Sequence, residues 1–290
     1  RSIWVTGVQT CALPIFGLTR TLRGLTSTFG SFDDGQFDEL RFERHLASNP
    51  ALALPECWYW IRKLQARFFA MDYATAVAAS LRAQGLLWSV PTIFEPAEFR
   101  FYGALSHAGS WDSAPPDQKQ QHFEALAAHH QQLAIWAAVC PENFENRAAL
   151  VGAEIARIGG RDLDAMRLYE RAIRSARENG FVHVEGVANE VAARFYLVRG
   201  FDTIAYAYLR EARYCYLRWG ATGKVRHLEE SYPQLKDEKP RAGSTSTITA
   251  PVDQLDLATV IKVSEAVSGE MVLDRDRKST RLNSSHPYRS

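Results

Sequence analysis

Long apolar runs, paired cysteines and an excess of one charge are all missing from this sequence, and each absence removes a class of function. No apolar stretch approaches the roughly 20 residues that a membrane-spanning helix needs, so no membrane span is expected. The four cysteines, Cys11, Cys57, Cys140 and Cys215, lie far apart and form no CxxC pair. They read as reduced, mostly buried side chains of a cytoplasmic protein, not as a disulfide framework or a zinc site. A formal net charge of +1 supplies no electrostatic footprint for nucleic acid or for a membrane surface. Runs of alternating polar and apolar residues bounded by turn signals are also missing, which leaves no strand to assign.

What is present is a chain with 46% hydrophobic and 23% charged residues, the balance of a soluble globular protein. At 290 residues it can hold one large domain or two ordinary ones around a sizeable core. The stretch "VTGVQTCALPIF" is short and carries no lysine or arginine, so it does not read as a signal peptide.

Helical period dominates. Residues 17–35 are rich in Thr, Ser and Gly and suggest a loop or frayed segment. A helix is expected from Gln36, with Phe37, Leu40, Phe42 and Leu46 as its buried positions and Asn49-Pro50 as its stop. From Pro55 a second helix carries Leu64, Phe68 and Ala70, and a third carries Ala76, Ala79, Leu81 and Ala83 up to Gly85. Another begins at Pro96. A long helix over 117–139 places Phe123, Leu126, Leu133 and Trp136 on its apolar side. After Tyr232-Pro233 the composition turns charged and then Ser/Thr-rich, as a linker does. Helical period then returns with Leu255, Leu257, Val260, Ile261, Val263 and Val267.

Small residues recur in register. Gly160, Ala165 and Ala172 are followed forty residues later by Gly200, Ala205 and Ala212, and Met71, Ala76 and Ala83 repeat the spacing with Met in the glycine position. A glycine turn followed by two alanines on the next helix lets two antiparallel helices approach closely, as in tetratricopeptide-type units of about 34 residues. The longer period, and the gap of about two periods between Met71 and Gly160, make this a degenerate array. The expected class is therefore all-α, a tetratricopeptide-like helical-repeat solenoid followed by a linker and a signalling helix. An irregular bundle with alanine-rich contacts stands as the alternative.

Candidate chemistry is sparse. "GATGKV", Gly220–Val225, has too short a spacing for a phosphate loop, places Val225 where a hydroxyl is needed and follows a helix, so it reads as a helix C-cap turn. His122, His129 and His130 share one helix without completing a metal-ligand pattern, and read as solvated positions. The aromatic groups Trp58, Tyr59, Trp60, Phe68, Phe69 and Tyr206, Tyr208, Tyr214, Tyr216, Trp219 fit inter-helix core better than a ligand groove. Glu190 and Arg194 fit a helix-surface ion pair, while Glu185 and Glu211 read as solvated. Neither GxSxG nor HExxH occurs. No catalytic, cofactor-binding or metal residue is assigned.

The strings "CWYWIRKLQARFFAMDYATAVAASL", "CPENFENRAALVGAEIARIGGRDLDAMRLYERAIRSARENGFVH", "YLREARYCYLRWGATGKVRHLEESYP" and "QLDLATVIKVSEAVSGEMVL" resemble a known family. They look like the middle of large bacterial signalling proteins that join a serine/threonine-kinase-like domain, a STAND-type AAA ATPase, a helical repeat region, a GAF sensor and a histidine kinase. The resemblance covers residues 17–273. It implies an N-terminal loop and helix over 17–50, helical repeats over 51–235, a linker over 236–250 and a helix over 251–273 leading into a truncated GAF domain. "GVQTCALPIF" and "RKSTRLNSSH" resemble translated sequencing-adapter sequence, so 1–16 and 274–290 are expected to be artefactual.

On this resemblance the chain is a non-catalytic, cytoplasmic scaffold coupling the ATPase to the GAF and histidine kinase modules. It has no cofactor of its own, and ATP belongs to the parent protein. The implied partners are those intramolecular modules, a protein or peptide on the concave face, and a second copy through the C-terminal helix; nucleic acid and membrane are not among them. The alternative is a helical-repeat adaptor, or the effector-sensing region of a STAND-type transcription regulator, binding a peptide or small ligand. The sequence beyond residue 273 separates the two, since one requires a GAF domain and kinase core and the other a helix-turn-helix. An all-α enzyme using the histidines is a third reading, which a metal assay tests.

Overall fold

A computed structural model describes residues 7–90 and 94–236. Among them are eleven α-helices and no strand, so the protein is all-α. The helices are α1 (Gly7–Leu22), α2 (Glu39–Ala47), α3 (Ala53–Phe69), α4 (Tyr73–Gln84), α5 (Phe94–Trp111) and α6 (Pro116–Val139). They continue with α7 (Pro141–Ile158), α8 (Asp162–Glu178), α9 (Val182–Val198), α10 (Asp202–Arg218) and α11 (Thr222–Ser231). None of these is long and apolar enough to cross a membrane. The expected linker over 236–250, apart from its first residue, and the expected helix over 251–273 lie outside the described residues.

From α3 to α10 each helix packs chiefly on a sequence neighbour, giving the pairs α3–α4, α5–α6, α7–α8 and α9–α10, while α1 packs on α3. The first members of the pairs also touch one another, α3 on α5, α5 on α7 and α7 on α9. They form an inner row, and their partners an outer one. The two rows differ as burial demands. Inner helix α5 buries every residue from Phe101 to Ala108, as a helix covered on all sides does. Outer helix α8 buries only the stripe Ala165, Tyr169, Ala172, Ile173, Ser175 and Ala176.

The turns explain the small-residue spacing. Gly160, Gly180, Gly200 and Gly220 recur every twenty residues, all with φ between +71° and +79°. Each closes a helix through a bond from the residue that follows it, such as Arg161 N to Ala156 O and Phe181 N to Ala176 O. Seventeen-residue helices with three-residue turns make a twenty-residue unit; two make the forty-residue period. Met71 takes the same left-handed conformation at φ +59°. Ala76, Ala83, Ala165, Ala172, Ala205 and Ala212 are all fully buried.

Between Met71 and Gly160 lies a pair the sequence motif does not mark, α5–α6. Its turn runs through Ser113, Ala114 and Pro115 with no glycine. Its small residue sits on the other helix: a Cβ on Gly103 of α5 would lie 3.0 Å from His129 Nε2 of α6.

Three expectations are corrected. Residues 17–22 are the end of helix α1, and Thr21, Leu22 and Phe32 are buried, so 17–35 is not a frayed loop. Thr21 Oγ1 accepts the Gly30 N–H at 2.7 Å, which ties that segment down. Helix α2 begins at Glu39 rather than Gln36, because Asp38 caps it by accepting the Arg41 N–H. Leu40 and Leu81, read as buried, are exposed at 69% and 57%.

Candidate functional sites

Buried charge is concentrated along the inner row, where carboxylates meet cations and tyrosine hydroxyls from neighbouring helices. Glu39 of α2 accepts from Lys63 at 3.3 Å and Arg67 at 2.8 Å, both on α3. Glu43 accepts from Lys63 and from Tyr59 Oη at 2.6 Å. Between α3, α5 and α7, Arg62 reaches Glu95 at 3.2 Å, Gln65 reaches Glu98 at 2.6 Å, and Arg147 reaches Glu98 at 3.0 Å. Glu154 of α7 accepts from Tyr169 of α8 and from Arg157.

The last of these groups closes the chain on itself. Glu190 of α9 accepts from Tyr216 Oη of α10 at 2.6 Å and from Lys224 Nζ of α11 at 2.7 Å. Lys224 Nζ also donates to the Phe69 carbonyl of α3 at 2.9 Å. Burial pulls the Lys224 ammonium below its ordinary pKa, and Glu190 opposes that shift. "GATGKV" is a helix turn, as expected, since Gly220 has φ +79° and Val225 is buried. Its lysine is an internal tie.

These placements correct several readings. Glu190 does not pair with Arg194. Glu185 is buried and accepts from Arg177 at 2.7 Å, whereas Glu211 is exposed. Of the aromatic sets, Tyr59, Trp60, Phe68, Phe69 and Tyr216 belong to the core and Tyr214 is exposed. Hydropathy could not find the buried charges, since a paired lysine or glutamate inside a protein has the same letter as a solvated one.

The histidines assemble differently from the expectation. His129 is buried, and His107 of α5, which the sequence did not single out, faces both α6 residues. His107 Nδ1 and His122 Nδ1 lie 2.9 Å apart, which requires one to donate and the other to accept. Arg100 lies 3.4 Å from His129 Nδ1. Burial, reinforced by His122, lowers His107 to about 4. Burial, reinforced by Arg100 and His107, lowers His129 to about 3. This is a neutral imidazole cluster at neutral pH. Among the described residues no group of three or more His, Cys, Asp or Glu is arranged to hold a metal ion.

Nucleophile chemistry finds little support in the thiols. Burial, with carboxylates nearby, pushes Cys57 and Cys215 up to about 12, so neither is a thiolate near neutral pH.

One cleft stands apart. It has a volume of about 510 Å³ and lies where the C-terminal ends of α5, α7 and α9 meet the start of α4 and Tyr232. Gly109 lets the Tyr73 ring pack against α5 at its wall, because a Cβ there would come within 2.8 Å of that ring. Arg157 and Arg199 on its wall are fully engaged. Arg157 donates to Asp112, Glu154 and the Ala108 carbonyl, and Arg199 to Asp162 and the Phe195 carbonyl. Arg194 lies over the Tyr73 ring at 5.4 Å and has no carboxylate or carbonyl partner among the described residues. Burial lowers its pKa from the usual arginine value.

In comparison with known proteins, no family model, no curated protein and no solved structure matches the chain.

Proposed function

We propose that the chain is a non-catalytic helical scaffold of a larger bacterial signalling protein, coupling an ATPase module to a GAF sensor and a histidine kinase. The observation that supports it most is the use of its buried charges. Glu39, Glu98, Glu154 and Glu190 are each held by residues of a neighbouring helix. Groups engaged in this way fix one helix against the next and are not free to take up substrate or move protons. An array of paired helices locked by such ties responds to a push at one end by bending or shifting as a body.

On this reading the chain works in the cytoplasm, and its partners are the flanking modules of the same polypeptide. ATP is bound and used by those modules. The segment over 251–273, expected from its apolar period to be helical, would pass the movement on through a change of register against a second copy.

Single cysteines along residues 255–267 of the parent protein, crosslinked with and without ATP, test the transmission step. Crosslinking should peak at every third or fourth position, and the peaks should move between nucleotide states. A flat profile in both states excludes a helix-to-helix relay.

A further inference from the structure

We propose that the cleft around Arg194 binds a small organic anion, an aromatic or apolar molecule carrying one carboxylate or phosphate group. The inference goes beyond the scaffold reading and does not depend on it. It begins from Arg194. Arg194 is half-buried, and a guanidinium partly withdrawn from water is best stabilised by an anionic partner, which the buried cations at the other ties have. Arg62, Lys63, Arg147 and Lys224 each have a carboxylate within 3.3 Å. Among the described residues Arg194 has only the face of Tyr73.

The surroundings define what could complete it. Three helices end at this cleft, and their last carbonyls carry partial negative charge that would repel an anion. Two are already covered: Arg157 donates to Ala108 O at 3.1 Å and Arg199 to Phe195 O at 3.1 Å. The carboxylates Asp112 and Glu154 are both held by Arg157, which keeps their charge turned away from an incoming group. Arg194 therefore presents the one unused fork, and its planar donors match the paired oxygens of a carboxylate or phosphate. The rest of the wall is apolar or aromatic: Tyr73, Phe195, Leu197, Val198 and Tyr232. A volume of about 510 Å³ suits a molecule of drug-like or metabolite size and excludes a folded partner.

Calorimetric titration of the full chain with benzoate, phenyl phosphate and, as the uncharged control, benzamide tests this. At least one acid should bind saturably and raise the thermal midpoint, and benzamide should not. The tighter of the two acids identifies carboxylate or phosphate as the natural group. Arg194→Met should weaken binding by at least about tenfold while leaving the ligand-free midpoint unchanged or higher, because it removes a half-buried charge that has no carboxylate partner among the described residues. Should Arg194→Met fail to fold, Val198→Glu serves instead. Val198 is 85% exposed at the rim, so the fold tolerates the change while the added carboxylate repels the acid. Absence of saturable binding by both acids, equal binding of benzamide, or undiminished binding by either variant overturns the proposal.

Discussion

At the scale of single residues, the turn glycines offer an unusually clean separation of backbone from packing. Gly180 has φ +74°, and a Cβ placed on it would meet nothing within 4 Å. Gly180→Ala therefore strains the backbone without touching a neighbour. It should lower stability by about 1 kcal/mol, read as a shift of the urea midpoint at constant slope. Loss of several kcal/mol would mean that the turn packs more tightly than its geometry implies. Gly223 is the opposite case, since a Cβ there would lie 2.3 Å from the Gly24 amide nitrogen. Met71 already carries the left-handed strain at its turn. The alanines and glycines of the repeat were legible in the sequence because their constraint is local: a residue type is dictated by φ or by the distance between two helix axes. Glu185, Glu190 and Lys224 were not, because pairing partners up to 155 residues away decide whether a charge can be buried.

At the scale of helices, the α5–α6 pair was the one the small-residue pattern missed, and the imidazole cluster explains its different construction. Its close contact is made by Gly103 of α5 against His129 of α6, so the small residue lies on the helix opposite to that in the other pairs. The consequence is pH-dependent stability. His107 and His129 have pKa values of about 4 and about 3 in the folded chain, below the unfolded histidine value of about 6.5. Between those values the unfolded chain binds more protons, so unfolding is favoured as pH falls. The stability is fully present above about pH 6.5 and is lost progressively below it, until the folded cluster itself protonates near 4. Each histidine contributes a loss of about 2 kcal/mol on going from pH 7.5 to pH 5. The test compares urea unfolding of the wild type and His129→Gln at both pH values. The wild type should lose about 2 kcal/mol more than the variant. Equal losses would show that His129 takes up its proton as freely folded as unfolded. The helix positions themselves followed from apolar period and proline stops. Exposure of Leu40 and Leu81 did not, since period marks a stripe without saying where its edge lies.

At the scale of the whole molecule, the row of paired helices is closed by a tie between its two ends. Lys224, 1% exposed, joins α11 to Glu190 of α9 and to the Phe69 carbonyl of α3. Beside it, Thr222 Oγ1 donates to the Arg23 carbonyl, and Arg226 donates to the Gly24 carbonyl just past α1. A sequence read in order gives the pairs but not this closure, which brings together residues from opposite ends of the described chain. Lys224→Met leaves Glu190 buried with Tyr216 as its one remaining partner among the described residues, and should cost about 3–5 kcal/mol. Glu190→Gln leaves the lysine with the Phe69 carbonyl and a neutral amide, and should cost less. If the two charges act as a unit, the double variant loses much less than the sum of the singles, with a coupling of about 1–3 kcal/mol in a four-protein unfolding cycle. Additive losses would mean that each charge is stabilised separately by its surroundings. Amide exchange locates the effect. In Lys224→Met, protection should fall first in α11 and at the end of α3, because these are the elements the ammonium joins. Uniform loss of protection along α3–α10 would instead make Lys224 one stabilising contact among many, and the closure at α11 would have no independent standing.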